Sequence, residues 1–406
     1  METLLRNTPV NRVEKAEVMY SAPPELHVRG AVINVVIKRS HDYSFQGELS
    51  TNYQNRYFSS GGANGNFRFS TPKITLDVMY GADNIKTMEY TDLLSRHTLN
   101  NNVYEIMQNE KLSSKSWMHN VRTALEYNFN EKNHLNVAYT GSFTPDGHNR
   151  SIADGSFQQS NLDKFTDNKM NNITVQYSSG IGLEVGGDYT RYTSDNSQTM
   201  FTQLSDKSKN SYTLTGGQRI DRYSIYADQK HNLTNNWGIG YGISYRYAKD
   251  YDFQTYDNVS GNIKPENTEA GLNEQTTGFY FSLNKNWATG TSFSISATGQ
   301  YYTIGNYHKW AEYPQASLTY LKGPQHIFKL SLTTDKSYPG YWDMQSSVTY
   351  LNGYSELQGT PGLRPMTNYN LNGTYILKQK YIFGLFYTHT SDYFAQTPYQ
   401  ATGRLA

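Results

Sequence analysis

WGIGYGISYRY, running from Trp237 to Tyr247, is the stretch on which the fold turns. Its odd positions are Trp237, Ile239, Tyr241, Ile243, Tyr245 and Tyr247. Its even positions are Gly238, Gly240, Gly242, Ser244 and Arg246. A repeat of two is a β-strand, because successive side chains point to opposite faces. One face here is bulky and apolar, the other small and polar. A water-soluble sandwich turns the aromatic face inward; a membrane barrel turns it outward, to lipid.

The same alternation recurs from about residue 43 onward. HLNVAYTGSF sets Leu135, Val137, Tyr139 and Phe143 against Asn136, Ala138, Thr140 and Ser142. TSFSISATGQYY sets Phe293, Ile295, Ala297 and Tyr301 against Ser292, Ser294, Ser296, Thr298 and Gln300. Counting such segments gives about fifteen strands, with helical spacing nowhere sustained and no fixed-period repeat.

The connections decide between sandwich and barrel. Turn-like links lie near Pro72, Lys132, Gly180, Asn235, Ala288, Pro324 and Gln379. Between them fall generally longer links, near residues 53–61, 82–115, 144–165, 205–210, 257–273, 304–311 and 336–366. A meander that alternates in this way has all its tight turns at one rim, as outer-membrane barrels do. A Greek-key sandwich has no cause to produce the pattern. Tyr and Trp near strand ends suit a membrane interface, where one ring edge is apolar and the other wet. The spacing therefore predicts Trp237, Ile239 and Tyr241 facing lipid, and Gly238, Gly240 and Gly242 facing the lumen.

Composition fits that class and narrows the chemistry. The chain has 406 residues, 36% of them hydrophobic, and a net charge of +1. Its mean hydropathy is −0.72. It has no cysteine, hence no disulfide, thiolate metal site or thiol nucleophile. The near-zero charge gives no electrostatic case for nucleic acid. No run of about 18 apolar residues is present for a transmembrane helix. The opening METLLRNTPVNR lacks the apolar core of a signal peptide. The histidines are scattered, with no i, i+4 pair. DYDFQTYDN (Asp250, Asp252, Asp257) lacks the glycine and glutamate spacing of a calcium loop. The sequence thus points to no catalytic residue, no metal site, no cofactor and no enzyme.

The first forty residues break the barrel pattern. They read as a strand (Ala16–Tyr20), a Pro-rich loop (Ser21–His27), Gly30 at a bend, and a second strand (Val32–Lys38). The second is apolar on both faces, which predicts burial in protein and a hydrogen-bonded Asn34. VEKAEV (Val13–Val18), Pro23-Pro24, Gly30 and VINV (Val32–Val35) resemble, in order and position, the end of the plug domain of TonB-dependent outer-membrane receptors. QGTPGLRPMTNYNLNGTY, from Gln358 to Tyr375, resembles a segment that enters a mid-barrel strand in that family. DRYSIYADQKHNL, from Asp221 to Leu233, is similar to the strand and turn of the outer-membrane β-barrel family frequent in Bacteroidetes. This chain departs mildly: Arg29-Gly30-Ala31 replaces a glycine pair, and Thr360 and Met366 replace an Asn and a Glu.

The resemblance implies an all-β chain: an antiparallel transmembrane β-barrel running as a meander, incomplete, with a remnant of the plug at its N-terminus. Residues 1–40 would be that remnant, its motif carried by Glu14, Glu17, Pro23, Gly30, Ile33 and Asn34. Residues 41–406 would be about two-thirds of the barrel, because a plugged lumen suits about twenty-two strands. The implied function is uptake of a large nutrient across the outer membrane of a Gram-negative bacterium. The implied partners are the lipid bilayer, TonB, that nutrient and a surface lipoprotein. Siderophore, cobalamin, peptide and glycan remain open as substrates. Two other readings fit the residues: a non-transporting outer-membrane adhesin or structural barrel, and a soluble carbohydrate-binding β-protein. Ligand contacts are expected from aromatic residues in the long loops: Tyr90, Tyr104, Phe157, Tyr256, Trp310 and Trp342.

Overall fold

The computed structural model describes residues 13–19, 24, 32–37, 43–99, 101–261, 263–323, 325–344, 348–352 and 355–397. Strands β1 (Val13–Met19) and β2 (Val32–Ile37) pair antiparallel as a separate sheet. The main sheet begins with β3 (Ser44–Asn55), β4 (Ser59–Ser70), β5 (Ile74–Leu99), β6 (Asn102–Asn130) and β7 (Asn133–Gly155). It continues with β8 (Gln158–Ser178), β9 (Leu183–Leu204), β10 (Lys209–Asn232), β11 (Trp237–Ser260) and β12 (Thr268–Asn286). Next come β13 (Ser292–Ile304), β14 (Tyr307–Lys322) and β15 (His326–Ser337). A small hairpin of β16 (Val348–Asn352) and β17 (Ser355–Gln358) stands apart, and β18 (Met366–Leu377) and β19 (Tyr381–Ser391) complete the sheet.

This is a 15-stranded antiparallel meander in chain order, interrupted only by that hairpin, and its outer strands β3 and β19 do not pair with each other. The class and strand number match the sequence reading. The exposure pattern along β11 settles which face looks out. Ile243 is 57% exposed, whereas Ala248, Asp250 and Asp252 on the opposite phase are 3% or less. Hydrogen-bonded polar side chains line the concave face, and aromatic and branched side chains cover the convex one, as a lipid-facing barrel wall requires.

The tight turns have the residues their backbones demand. Asn235 and Asn236 join β10 to β11 with φ of 60° and 58°, a conformation asparagine tolerates best among residues with a Cβ. Thr71 closes the β4–β5 turn, its Oγ1 accepting from the Ile74 amide at 2.9 Å. Asn130 does the same for β6–β7, accepting from the Asn133 amide at 2.9 Å.

At the other rim the structure corrects the loop reading. Residues 82–115 and 144–165 are mostly strand: β5 and β6 run 26 and 29 residues and meet in a tight turn where Asn101 has φ 64°. A strand needs only about 9–11 residues to cross the bilayer, so these hairpins rise far above it. Two-residue alternation weakens there because neither face meets lipid. The link between β15 and β18 does leave the sheet.

The N-terminal hairpin differs in one respect from its sequence pattern. Val13–Met19 and Val32–Ile37 do pair, but Ile33 is 67% exposed rather than enclosed. Among the described residues β2 pairs only with β1, in a two-stranded sheet that is not hydrogen-bonded to the main one.

Candidate functional site

The candidate site is the concave wall of β10–β15, where polar side chains converge. It is built by the inward phase of each strand. Ser224 and Tyr226 of β10, Ser244 and Arg246 of β11, and Thr276 and Tyr280 of β12 face one cavity of about 190 Å³. Thr298 and Gln300 of β13, with Tyr313 of β14, close its far side. Pro24, from the N-terminal segment, lines the same cavity. The glycines of WGIGYGISYRY create the room. A Cβ on Gly242 would lie 2.0 Å from Asp228 Oδ1 and 2.6 Å from the Tyr280 ring. The small face is therefore occupied space: neighbouring side chains lie flat across it.

One edge of the cavity is shaped by a proline. Pairing of β14 with β15 runs from Lys322↔His326 to Ala316↔Leu332 and stops there. Two steps further in that register Pro314 would face Thr334, and proline has no N–H to give a ladder. Thr334 Oγ1 instead donates to the Pro314 carbonyl at 2.6 Å. Beyond this point β15 stays paired with β18 but turns inward. Lys336, on the phase that carries the outward-facing Leu330, thereby enters the concave side.

There Lys336 meets a tyrosine box. Its Nζ lies 4.3 Å from the Tyr302 ring centre, 4.7 Å from Tyr338 and 5.7 Å from Tyr313. It also donates to Gln300 Oε1 at 3.4 Å, and the Tyr338 hydroxyl donates to the same oxygen at 3.2 Å. Tyr341, in the link that follows β15, donates to Glu274. Burial and the adjacent Glu274 carboxylate push the Tyr341 phenol well above its ordinary range, so it stays a neutral donor. Lys336, Tyr338 and Tyr341 thus pin the start of this link to the wall.

The aromatic residues singled out from the sequence do not gather at this site. Tyr90, Tyr104, Tyr256 and Trp310 lie in strands, not loops. Tyr90 is exposed on β5, beside Tyr57 and under the Lys111 ammonium at 5.8 Å. Tyr104 is on β6 opposite His97. Phe157 is half-buried in the β7–β8 turn. Tyr256 is buried with Met200, Tyr212 and Leu214 in a small apolar core inside the extended hairpins, so it packs that extension. Trp310 stands on the convex face with Phe279 and Tyr301, turned to lipid. Trp342 lies in a short 3-10 turn, and its side chain is outside the described residues. Of the N-terminal motif, Glu14 is exposed on β1 and Ile33 on β2. Pro23 and Gly30 lie outside the described residues, as do the side chains of Glu17 and Asn34. Sequence reasoning missed Gln300, Tyr302, Tyr313, Lys336 and Tyr338. Pro314 within an alternating run was the available signal.

The convex face carries two aromatic tiers. On β11, Trp237 and Tyr247 mark them, ten positions apart, with Ile239, Tyr241, Ile243 and Tyr245 between. Ten strand residues span roughly 33 Å, which a barrel's tilt reduces to about 25 Å of height, the thickness of an outer-membrane apolar band. The profile described as "Outer membrane protein beta-barrel family" matches residues 176–404, more than half of the chain. The chain belongs to the outer membrane protein β-barrel family. Its place is the outer membrane of a Gram-negative bacterium, with the convex face in lipid. Among curated proteins none matches the chain. The solved structures that overlap it include two receptors. The ferric yersiniabactin uptake receptor FyuA from Yersinia pestis has 8% identity and a TM-score of 0.40, over 93% of this chain and 77% of that one. The alcaligin outer-membrane receptor FauA from Bordetella pertussis has 10% identity and a TM-score of 0.23, over 88% and 73%. Neither overlap is close enough to carry a shared activity.

Proposed function

We propose that this family member is part of a TonB-dependent receptor that takes a large nutrient across the outer membrane, residues 1–40 belonging to its plug and 41–406 to its barrel. One observation carries the reading: Pro24, from the segment that resembles the end of a plug, lines a polar cavity on the concave barrel wall. A plug must rest against the lumen to block it and must leave that rest position to open a path. The hydroxyl, amide and phenol groups of the wall offer hydrogen bonds that a segment can exchange for water as it moves. Energy would come from the inner membrane through TonB. The long hairpins above the bilayer offer surface for a ligand and for a lipoprotein.

The test uses the absence of native cysteines. In the full-length receptor, a Pro24→Cys/Ser244→Cys pair should cross-link in cells. Uptake of the nutrient that the receptor's operon or regulation points to should be lost on cross-linking and restored by reductant. It should also vanish when TonB is deleted. Nutrient uptake that persists without TonB, or that ignores the cross-link, would overturn the reading in favour of a passive barrel.

A further inference from the structure

We propose that the convex face of β8–β11, just above the upper aromatic tier, binds the phosphate groups of the phosphorylated glycolipid that forms the outer leaflet. The inference rests on family membership and membrane orientation, not on transport. Tyr189, Tyr223 and Tyr247 are direct cross-strand neighbours on β9, β10 and β11. Their rings stack at 4.8 and 6.5 Å, forming one continuous ladder. Below it lie apolar side chains such as Ile225, 62% exposed to lipid. Above it the chemistry changes within one step. The next outward row is Arg191, Asp221 and Lys249, and the one after it is Lys169, Thr193, Arg219 and Tyr251. Two strand residues advance about 6.6 Å, so the rows sit roughly 5 and 10 Å further from the bilayer centre than the ladder.

Those two rows hold four exposed cations and one carboxylate. Asp221 is occupied from below: the Tyr189 hydroxyl donates to it at 2.6 Å, and Arg191 stands 4.0 Å away. Lys169 pairs with Asp167 at 3.0 Å, and Glu269 accepts from the Tyr251 hydroxyl. A third outward row, with Asp167, Asp195 and Glu269, is acidic. The order outward from the bilayer centre is thus apolar, tyrosine, cationic, acidic. Acyl chains, a sugar-like headgroup and phosphates in sequence match the first three layers, and the acidic row repels a phosphate placed any higher. Tight turns lie on the periplasmic side in this class, so the band faces the outer leaflet. Exposed arginines and lysines in a row suit more than one phosphate at once.

The test uses the purified full-length protein in neutral detergent, with bisphosphorylated lipid A as probe. Binding should be at least about tenfold tighter than for dephosphorylated lipid A and should weaken with salt. A Lys169→Gln/Arg191→Gln/Arg219→Gln/Lys249→Gln variant should lose that preference while keeping its heat-modifiable mobility on gels. Should that variant not fold, Arg219→Gln/Lys249→Gln leaves the Lys169–Asp167 and Arg191–Asp221 pairs in place and should lose part of it. Equal binding of the two lipid A forms would overturn the proposal. So would unchanged affinity in the folded variant, or equally tight binding of phosphatidylglycerol.

Discussion

The Lys336 ammonium lies 4.3 Å from the ring centre of Tyr302, although Lys336 belongs to the strand phase that lower down faces lipid. The strand turns because Pro314 ends its ladder with β14, and the tyrosine box receives the cation that the turn brings in. A buried cation–π contact contributes about 2 kcal/mol, an exposed one less. Lys336→Met should therefore speed amide exchange of Tyr338–Met344 and lower refolding stability by about 1–2 kcal/mol, and Lys336→Arg should restore most of both. Unchanged exchange in Lys336→Met would show that the box does not hold the link.

Depth along β11 should be readable in stability. Ile243 lies near the middle of the span between Trp237 and Tyr247, and Ile239 lies near its lower edge. Arginine on a barrel's lipid face costs about 2–4 kcal/mol at the midplane and little near the interfaces. Ile243→Arg should thus impair folding into a bilayer more than Ile239→Arg. The reverse order would place the lipid band elsewhere on this strand.

On the concave phase of the same strand, two glycines should respond differently. A Cβ on Gly240 comes close to one atom, the Ser282 hydroxyl 2.6 Å away at the end of a small side chain that can rotate, its next neighbours lying at 3.9 and 4.0 Å. A Cβ on Gly242 meets Asp228 Oδ1 at 2.0 Å and the Ala227 carbonyl at 2.9 Å, and backbone cannot step aside. Gly240→Ala should be nearly neutral, and Gly242→Ala should cost about 1–3 kcal/mol. Chemical denaturation in detergent measures both, and equal costs would mean that the glycine row is not shaped by these neighbours.

Topology can be read by cysteine labelling of intact cells. Asn101, at the tip of the β5–β6 hairpin, should react as Asn101→Cys. Lys132, exposed in the β6–β7 turn, should react as Lys132→Cys only after the outer membrane is opened. Asn133 is a poorer probe, since its side chain accepts from the Gly180 amide at 3.1 Å and ties two turns together. Labelling of position 132 alone in intact cells would invert the orientation and with it the outer-leaflet phosphate site.

Two-residue alternation between Trp237 and Tyr247 was enough, with the placing of tight turns, to make this chain an outward-aromatic meander of about fifteen strands. Both signals are local: alternation follows from the strand's pleat, and turn residues such as Asn235-Asn236 follow from backbone φ. What lies above the bilayer was not legible in that way. Residues 82–115 read as a loop because a strand with water on both sides has no reason to alternate, yet its ladder to the next strand holds it extended. Nor could the sequence say that Tyr256 packs an apolar core while Trp310 faces lipid, since each depends on which neighbour the register sets beside it. The tyrosine box is the sharpest case. Counting positions along β15 puts Lys336 on the lipid face, and only the missing N–H of Pro314, on a different strand, turns it into the lumen.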